Sequence, residues 1–193
     1  MNTKTRLVAL GAAAGLLLTA APLAAHADDD VVRTGDYTLP AGRTIDGDLT
    51  VRGGNLVVNG TVTGNVVQIG AGSVRIGASG DVDGNFRETG PGDVRIVGDV
   101  DGNATEEGDG TIRVDDRGEV DGSLTEKGAG QVRIGGTVDG TVSESGADGI
   151  VIGPRAEIDD NVIERDAGNV VIYRGADIDG DVSESGSGSV FRR

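Results

Sequence analysis

Residues 98–114 read GDVDGNATEEGDGTIRV, and residues 118–134 read GEVDGSLTEKGAGQVRI. Each has an aliphatic residue, a polar one, Gly, a small polar residue and another apolar residue. A Gly-rich corner follows, then two β-branched residues flanking Arg. The unit recurs from Ile45 onward, with rungs opening at Ile45, Val62, Val82, Val100, Val120, Val138, Ile158 and Ile178. Successive steps are 17, 20, 18, 20, 18, 20 and 20 residues. Four positions on stand Leu49, Val66, Phe86, Ala104, Leu124, Val142, Val162 and Val182.

A second alternating piece follows in each rung, as in Val74 and Ile76, Val94 and Ile96, Ile112 and Val114, and Val132 and Ile134. Period-two alternation of β-branched residues between Gly-rich turns is a strand signal, and nothing after residue 27 has a helical period. The extra two residues of the longer rungs fall at one corner, for example Asp115-Asp116-Arg117-Gly118. Strands keep their length while a loop absorbs the change, as expected when turns of a coil stack. One rung cannot bury its few Val and Ile alone, but stacked rungs about 4.8 Å apart form continuous aliphatic columns. The pattern predicts an all-β, single-domain parallel β-helix (a solenoid) of about eight rungs, roughly 40 Å long. An antiparallel sandwich would need turn signals every 8–12 residues, without repetition of the whole unit. Rungs of 20 do not divide into hexapeptides, which favours a right-handed coil.

Residues 1–27 read as a secretory signal, with Lys4 and Arg6 ahead of the apolar stretch Leu7 to Ala21 and the small-x-small site Ala25-His26-Ala27. The domain reading is therefore a signal over 1–27, a lead-in or cap over 28–44 and the β-helix over 45–193. The expected destination is secreted or extracellular, with no membrane attachment once the signal is cleaved. Removing Lys4 and Arg6 makes the remainder two units more negative than the whole chain's −15. Such a chain repels nucleic acid and anionic surfaces and attracts divalent cations. Cysteine is absent and the one histidine is His26, so the remainder has no thiol or imidazole for catalysis or a zinc site.

The runs Tyr37-Thr38-Leu39-Pro40-Ala41-Gly42-Arg43-Thr44-Ile45-Asp46-Gly47-Asp48-Leu49 and Val57-Val58-Asn59-Gly60-Thr61-Val62-Thr63-Gly64-Asn65-Val66 resemble the bactofilin-type polymer-forming cytoskeletal proteins and their exported relatives. Later rungs, with Gly90-Pro91-Gly92-Asp93-Val94, also resemble repeat proteins described as adhesins. The likeness implies a right-handed β-helix that assembles end to end. Bactofilins proper are cytoplasmic and lack the Glu-x-Gly-x-Gly corner, so this chain departs from them in both respects.

Four sets of side chains are candidates for function. Asp81, Asp83, Asp99, Asp101, Asp121, Asp159, Asp177 and Asp179 flank the rung openings and should stack into outward carboxylate columns, a candidate row of calcium sites or a solvated acidic face. Arg75, Arg95, Arg113 and Arg133, followed by Val151, Val171 and Phe191, should form one outward column passing from basic to apolar, a candidate partner surface. Asn65, Asn85, Asn103 and Asn161 suit a left-handed corner or a side-chain ladder. Glu88, Glu106, Glu126, Glu144, Glu164 and Glu184 point inward by strict alternation; unpaired buried carboxylates are costly, so the chain is expected to turn there and leave them in solvent.

The function expected is non-enzymatic: a secreted structural rod, self-assembling or surface-displayed, with an adhesin-like or calcium-binding interaction module as the alternative. A polysaccharide-acting enzyme needs one rung that differs from the rest, and aromatic sugar platforms are missing. Thr residues form no regular column of the kind an ice-binding face would use. The expected partners are a second copy, end to end, or a cell-wall or surface component.

Overall fold

The computed structural model describes residues 29–193, so the expectations for the signal, its cleavage site and His26 lie outside the described residues. Among the described residues, all regular structure is short β-strand, arranged in three parallel sheets. A long-strand sheet holds nine strands, from Val31–Thr34 to Val182–Glu184. An arginine sheet holds nine, from Tyr37–Leu39 to Val190–Arg192, and an acidic sheet holds eight two-residue strands, from Thr44–Ile45 to Asp177–Ile178. Each strand pairs with the strands one turn before and one turn after, never with its chain neighbour. The chain is a parallel β-solenoid of about eight turns, and the sandwich alternative fails on strand direction alone.

The register is the one the repeat predicts. Phe86 lies beside Ala104, Ala104 beside Leu124, Val94 beside Ile112, and Val100 beside Val120. Inward residues from all three sheets merge into one aliphatic core running from Leu39 to Ile172. The largest side chain in it is Phe86, and its column neighbour on one side is the small Ala104. Residues 28–44, expected as a lead-in, supply strands Val31–Thr34 and Tyr37–Leu39, which pair in register with the following turn. The coil therefore starts earlier than the repeat shows, because this turn lacks the aliphatic-x-Gly opening on which the rungs align.

Asn side chains join the turns along one corner. The backbone N–H and side-chain amide of Asn65 donate to Asp48 Oδ1, those of Asn85 to Asn65 Oδ1, and those of Asn103 to Asn85 Oδ1. Ser123 N–H ends the run on Asn103 Oδ1 at 2.9 Å. Of the two structural roles expected for Asn, this is the ladder, and it satisfies corner N–H groups that strand pairing leaves free.

The corner after each long strand is tight. Gly128 has φ +144°, and a Cβ there would overlap the carbonyl oxygen of Gly108 in the turn below. Its column continues through Gly146 to Asp166, which has φ +94° and is the non-glycine residue with positive φ among the described residues. Gly128→Ala should cost about 1–3 kcal/mol, from backbone strain and from forcing the turns apart. Gly35, φ +81° with open space where its Cβ would stand, is the control. Thermal melts that rank the two substitutions equally would show that close approach contributes nothing at Gly128.

Candidate functional site

The acidic sheet brings its carboxylates together as expected. Asp81 pairs with Asp99, Asp99 with Glu119, and Glu157 with Asp177, with Thr137 interrupting between Glu119 and Glu157. Asp83, Asp101, Asp121, Asp159 and Asp179 follow those strands by one residue, on the far side of the inward aliphatic. Partial burial, then Asp83, Asp101 and Asp99, raise the Asp81 carboxyl above its ordinary range. Asp121 is raised for the same reasons, by burial first and then by Asp101 and Asp139. The face is thus crowded with like charge. Among the described residues, no group of three or more His, Cys, Asp or Glu side chains is placed to hold a metal ion.

The arginine sheet places Arg75, Arg95, Arg113, Arg133, Val151, Val171 and Phe191 in one in-register column. Its basic part is tied down from one corner. Asp115 lies between Arg95, whose Nε is 2.7 Å from Oδ2, and Arg113, which engages Oδ1. Burial pushes the Asp115 carboxyl up, but the hydrogen bonds and charges of Arg113 and Arg95 outweigh it and hold the group low. The apolar part ends on Phe191, 45% exposed. Arg87 and Lys127 clasp Glu107 on the outside of the long-strand sheet, with Lys127 Nζ 3.1 Å from Oε1. Sequence spacing foresaw the column but not Asp115, because a corner residue's direction cannot be read from strand alternation.

The glutamate column departs from expectation. Glu88, Glu106, Glu126, Glu144 and Glu164 are fully buried, each on the inward side of the long-strand sheet. The chain does not turn at these residues. The strand continues two or more residues past Glu88 and Glu106, so alternation holds and the carboxyls enter the core. Consecutive members pair directly: Glu88 with Glu106, Glu106 with Glu126, Glu126 with Glu144, Glu144 with Glu164 and Glu164 with Glu184. Gln68 occupies the same column one turn before Glu88, and Val51 the turn before that.

Hydrogen bonds from Gly N–H groups reach the column at one end only. Glu164 Oε1 accepts from Gly168 N–H at 2.9 Å, and Glu184 Oε1 from Gly186 and Gly188 N–H at 2.7 and 3.0 Å. Both oxygens of Glu88, Glu106, Glu126 and Glu144 are buried without a donor from other groups, as is Gln68 Oε1. Burial above all, then adjacent carboxyls, pushes Glu88 up to about 8 and Glu126 up to about 9. Burial also raises Glu106 and Glu144 to about 7. Five acidic side chains in the core of a narrow rod are its most unusual chemical feature. The strict alternation that names them was available in the sequence; the cost of burying charge argued against following it.

No protein-family model, curated protein or solved structure matches this chain. What fold and surfaces define together is a class: a parallel β-solenoid with one acidic face, one face passing from basic to apolar, and a carboxyl column inside. No helix among the described residues is long and apolar enough to cross a membrane.

Proposed function

We propose that this protein is a non-enzymatic structural rod that assembles end to end with further copies of itself. The observation that carries this reading is the match between its two end strands. Extending the register by one turn sets Val182 against Val31 of a second copy and Glu184 against its Arg33, since Val162 pairs with Val182 and Val31 with Leu49. The same step sets Val190 against Tyr37, whereas the acidic sheet, one strand shorter than the other two, leaves a one-turn gap between Ile178 and Ile45. The inward columns of the two nine-stranded sheets thus continue, and an acid meets a base, across a contact that does not close on itself. Val182 and Ile178 are half-buried at the outer edge, and Val190 is 40% exposed. The likeness of residues 37–66 to polymer-forming proteins points the same way, as does the near-identity of the turns, which leaves no rung distinct enough for an active site.

Negative-stain electron microscopy of the purified protein tests this. Thin filaments one rod wide are expected, and Arg33→Glu should shorten or abolish them, with Glu184→Arg in the same chain restoring them. Single short rods in every sample would end the proposal. The surface-interaction reading would then lead, with Val151, Val171 and the exposed Phe191 as the contact strip. Calcium on the Asp81–Asp177 face is the companion proposal. Loss of filaments in chelator, or a thermal shift with millimolar calcium, would support it; identical behaviour with and without calcium would remove it.

A further inference from the structure

A carboxylate cannot stay ionised in an aliphatic core without a cation or several donors, because the desolvation penalty is several kcal/mol per ion. The glutamate column has neither. Arg87 and Lys127, on the same strands, point outward and are held by Glu107. Residues facing the column from the other two sheets are aliphatic, as with Val94, Ile112, Val132, Val100 and Val120. The charged groups acting on it from the corners are Asp93 and Asp109, and both favour a neutral Glu106. A metal ion fits no better. Each turn contributes one carboxyl, so an ion between turns would find two carboxyls and hydrocarbon, short of the six to eight oxygens calcium takes.

Protons solve the problem with the atoms present. Adjacent turns are about 4.8 Å apart, so a carboxylic acid in one turn can donate its O–H to the carboxyl of the next. If every O–H points toward the first turns, Glu164 donates to Glu144, Glu144 to Glu126, Glu126 to Glu106, Glu106 to Glu88, and Glu88 to Gln68. The last step uses the one acceptor that otherwise lacks a partner, Gln68 Oε1, while Gln68 Nε2 is engaged by the carbonyls of Gly54 and Gly70 at 3.2 and 3.0 Å. At the opposite end the run begins at Glu164, whose Oε1 accepts from Gly168 N–H, while Glu184 beyond it takes two backbone N–H groups of its own. Every buried oxygen of the column then lies in one directional run of hydrogen bonds.

We propose that the Glu88–Glu164 column is a proton-binding site built into the core, filled by one proton per turn, and that the rod is firm only while it is filled. The ligand is the hydrogen ion itself, so ambient acidity sets how tightly the turns hold together. The sign follows from the number of protons held. The unfolded chain releases these protons near the ordinary 4.5, whereas burial, chiefly, keeps them on the folded chain to about 7 at Glu106 and Glu144, 8 at Glu88 and 9 at Glu126. The folded rod therefore binds more protons across that interval, and stability falls as pH rises from about 4.5 to about 9.

The test uses the full chain in chelator, melted at pH 5 and pH 9, alongside a variant with Gln at 88, 106, 126, 144 and 164. Gln68 already shows that a primary amide fits the column. The wild-type midpoint should fall by about 10 °C or more between the two pH values, while the variant should change far less. Infrared spectra of the folded wild type at pH 7 should show the band of protonated carboxyl groups, weakened in the single variant Glu126→Gln. The proposal is overturned if that band is absent at pH 7, if wild type and variant lose stability in parallel, or if calcium restores the pH 9 midpoint of the wild type alone. Because the infrared measurement needs only wild type, a variant that fails to fold leaves the test intact.

Discussion

Phe86→Ala should destabilise the rod by about 3–5 kcal/mol, among the largest losses available to a single substitution in this core. The ring is 1% exposed and is the largest fully buried side chain. It sits between Val66 below and Ala104 above, in a column where other positions carry Leu or Val. Ala104 leaves space that Phe86 uses, so the two residues together approximate the volume of two ordinary core residues. Truncating the ring leaves a cavity that paired strands on both sides cannot collapse into, since their spacing is fixed by backbone hydrogen bonds. The midpoint should fall by roughly 6–20 °C. Phe86→Leu combined with Ala104→Val should recover much of the loss, whereas Ala104→Val alone should overpack the site. A loss below about 1 kcal/mol for Phe86→Ala would mean that the ring does not fill the core as described.

Glu126→Leu should cross over with pH, lowering the midpoint at pH 5 and raising it at pH 9. Glu126 is the central member of the column, paired with Glu106 on one side and Glu144 on the other. In acid, Leu removes a filled link and leaves two neighbouring carboxyls short of a partner, a loss of about 1–3 kcal/mol. In base the same Leu removes the carboxyl that burial and its two neighbours make hardest to ionise. Replacing a buried ionised group with an apolar side chain of similar volume is often stabilising by about 1–4 kcal/mol. Denaturant titrations at both pH values would show the sign change. The same sign at both would mean that the column's protonation does not couple to folding.

Most of the architecture was legible in residue order. Val82, Val100 and Val120 at the openings, Phe86, Ala104 and Leu124 four positions on, and the Val-Arg-Ile pieces each mark one sheet, and all three sheets formed in the predicted register. The sequence was least clear where two physical rules conflicted. Alternation sent Glu88 and its counterparts inward while desolvation sent them outward, and the reading followed desolvation. Neutralising the carboxyl removes the conflict, but that is a property of five residues stacked together, invisible when one Glu is considered alone. The turn of Val31–Leu39 was missed for a different reason: it lacks the aliphatic-x-Gly opening on which the rungs align, although Asn55 joins it to the stack by donating its N–H and side-chain amide to Asp36 Oδ1. The outward columns of Asp and Arg were read correctly as geometry, but the hold of Asp115 on Arg95 and Arg113 depends on where a loop carries its side chain.

The constant register also bears on how such a chain can change over generations. Glu119 is stacked on Thr137, and Val120 on Val138. A chain lacking residues 120–137 would therefore join Glu119 directly to Val138 and present the same inward and outward residues at every later position, one turn shorter. Duplication of that stretch would lengthen the rod by the same increment. Whole-turn gains and losses are consequently among the mildest lesions this gene can suffer, whereas a frame-preserving deletion of even one residue within a strand reverses which side chains face the core. Rod length is thus open to inheritance in steps, and variation among descendants should come in multiples of a turn.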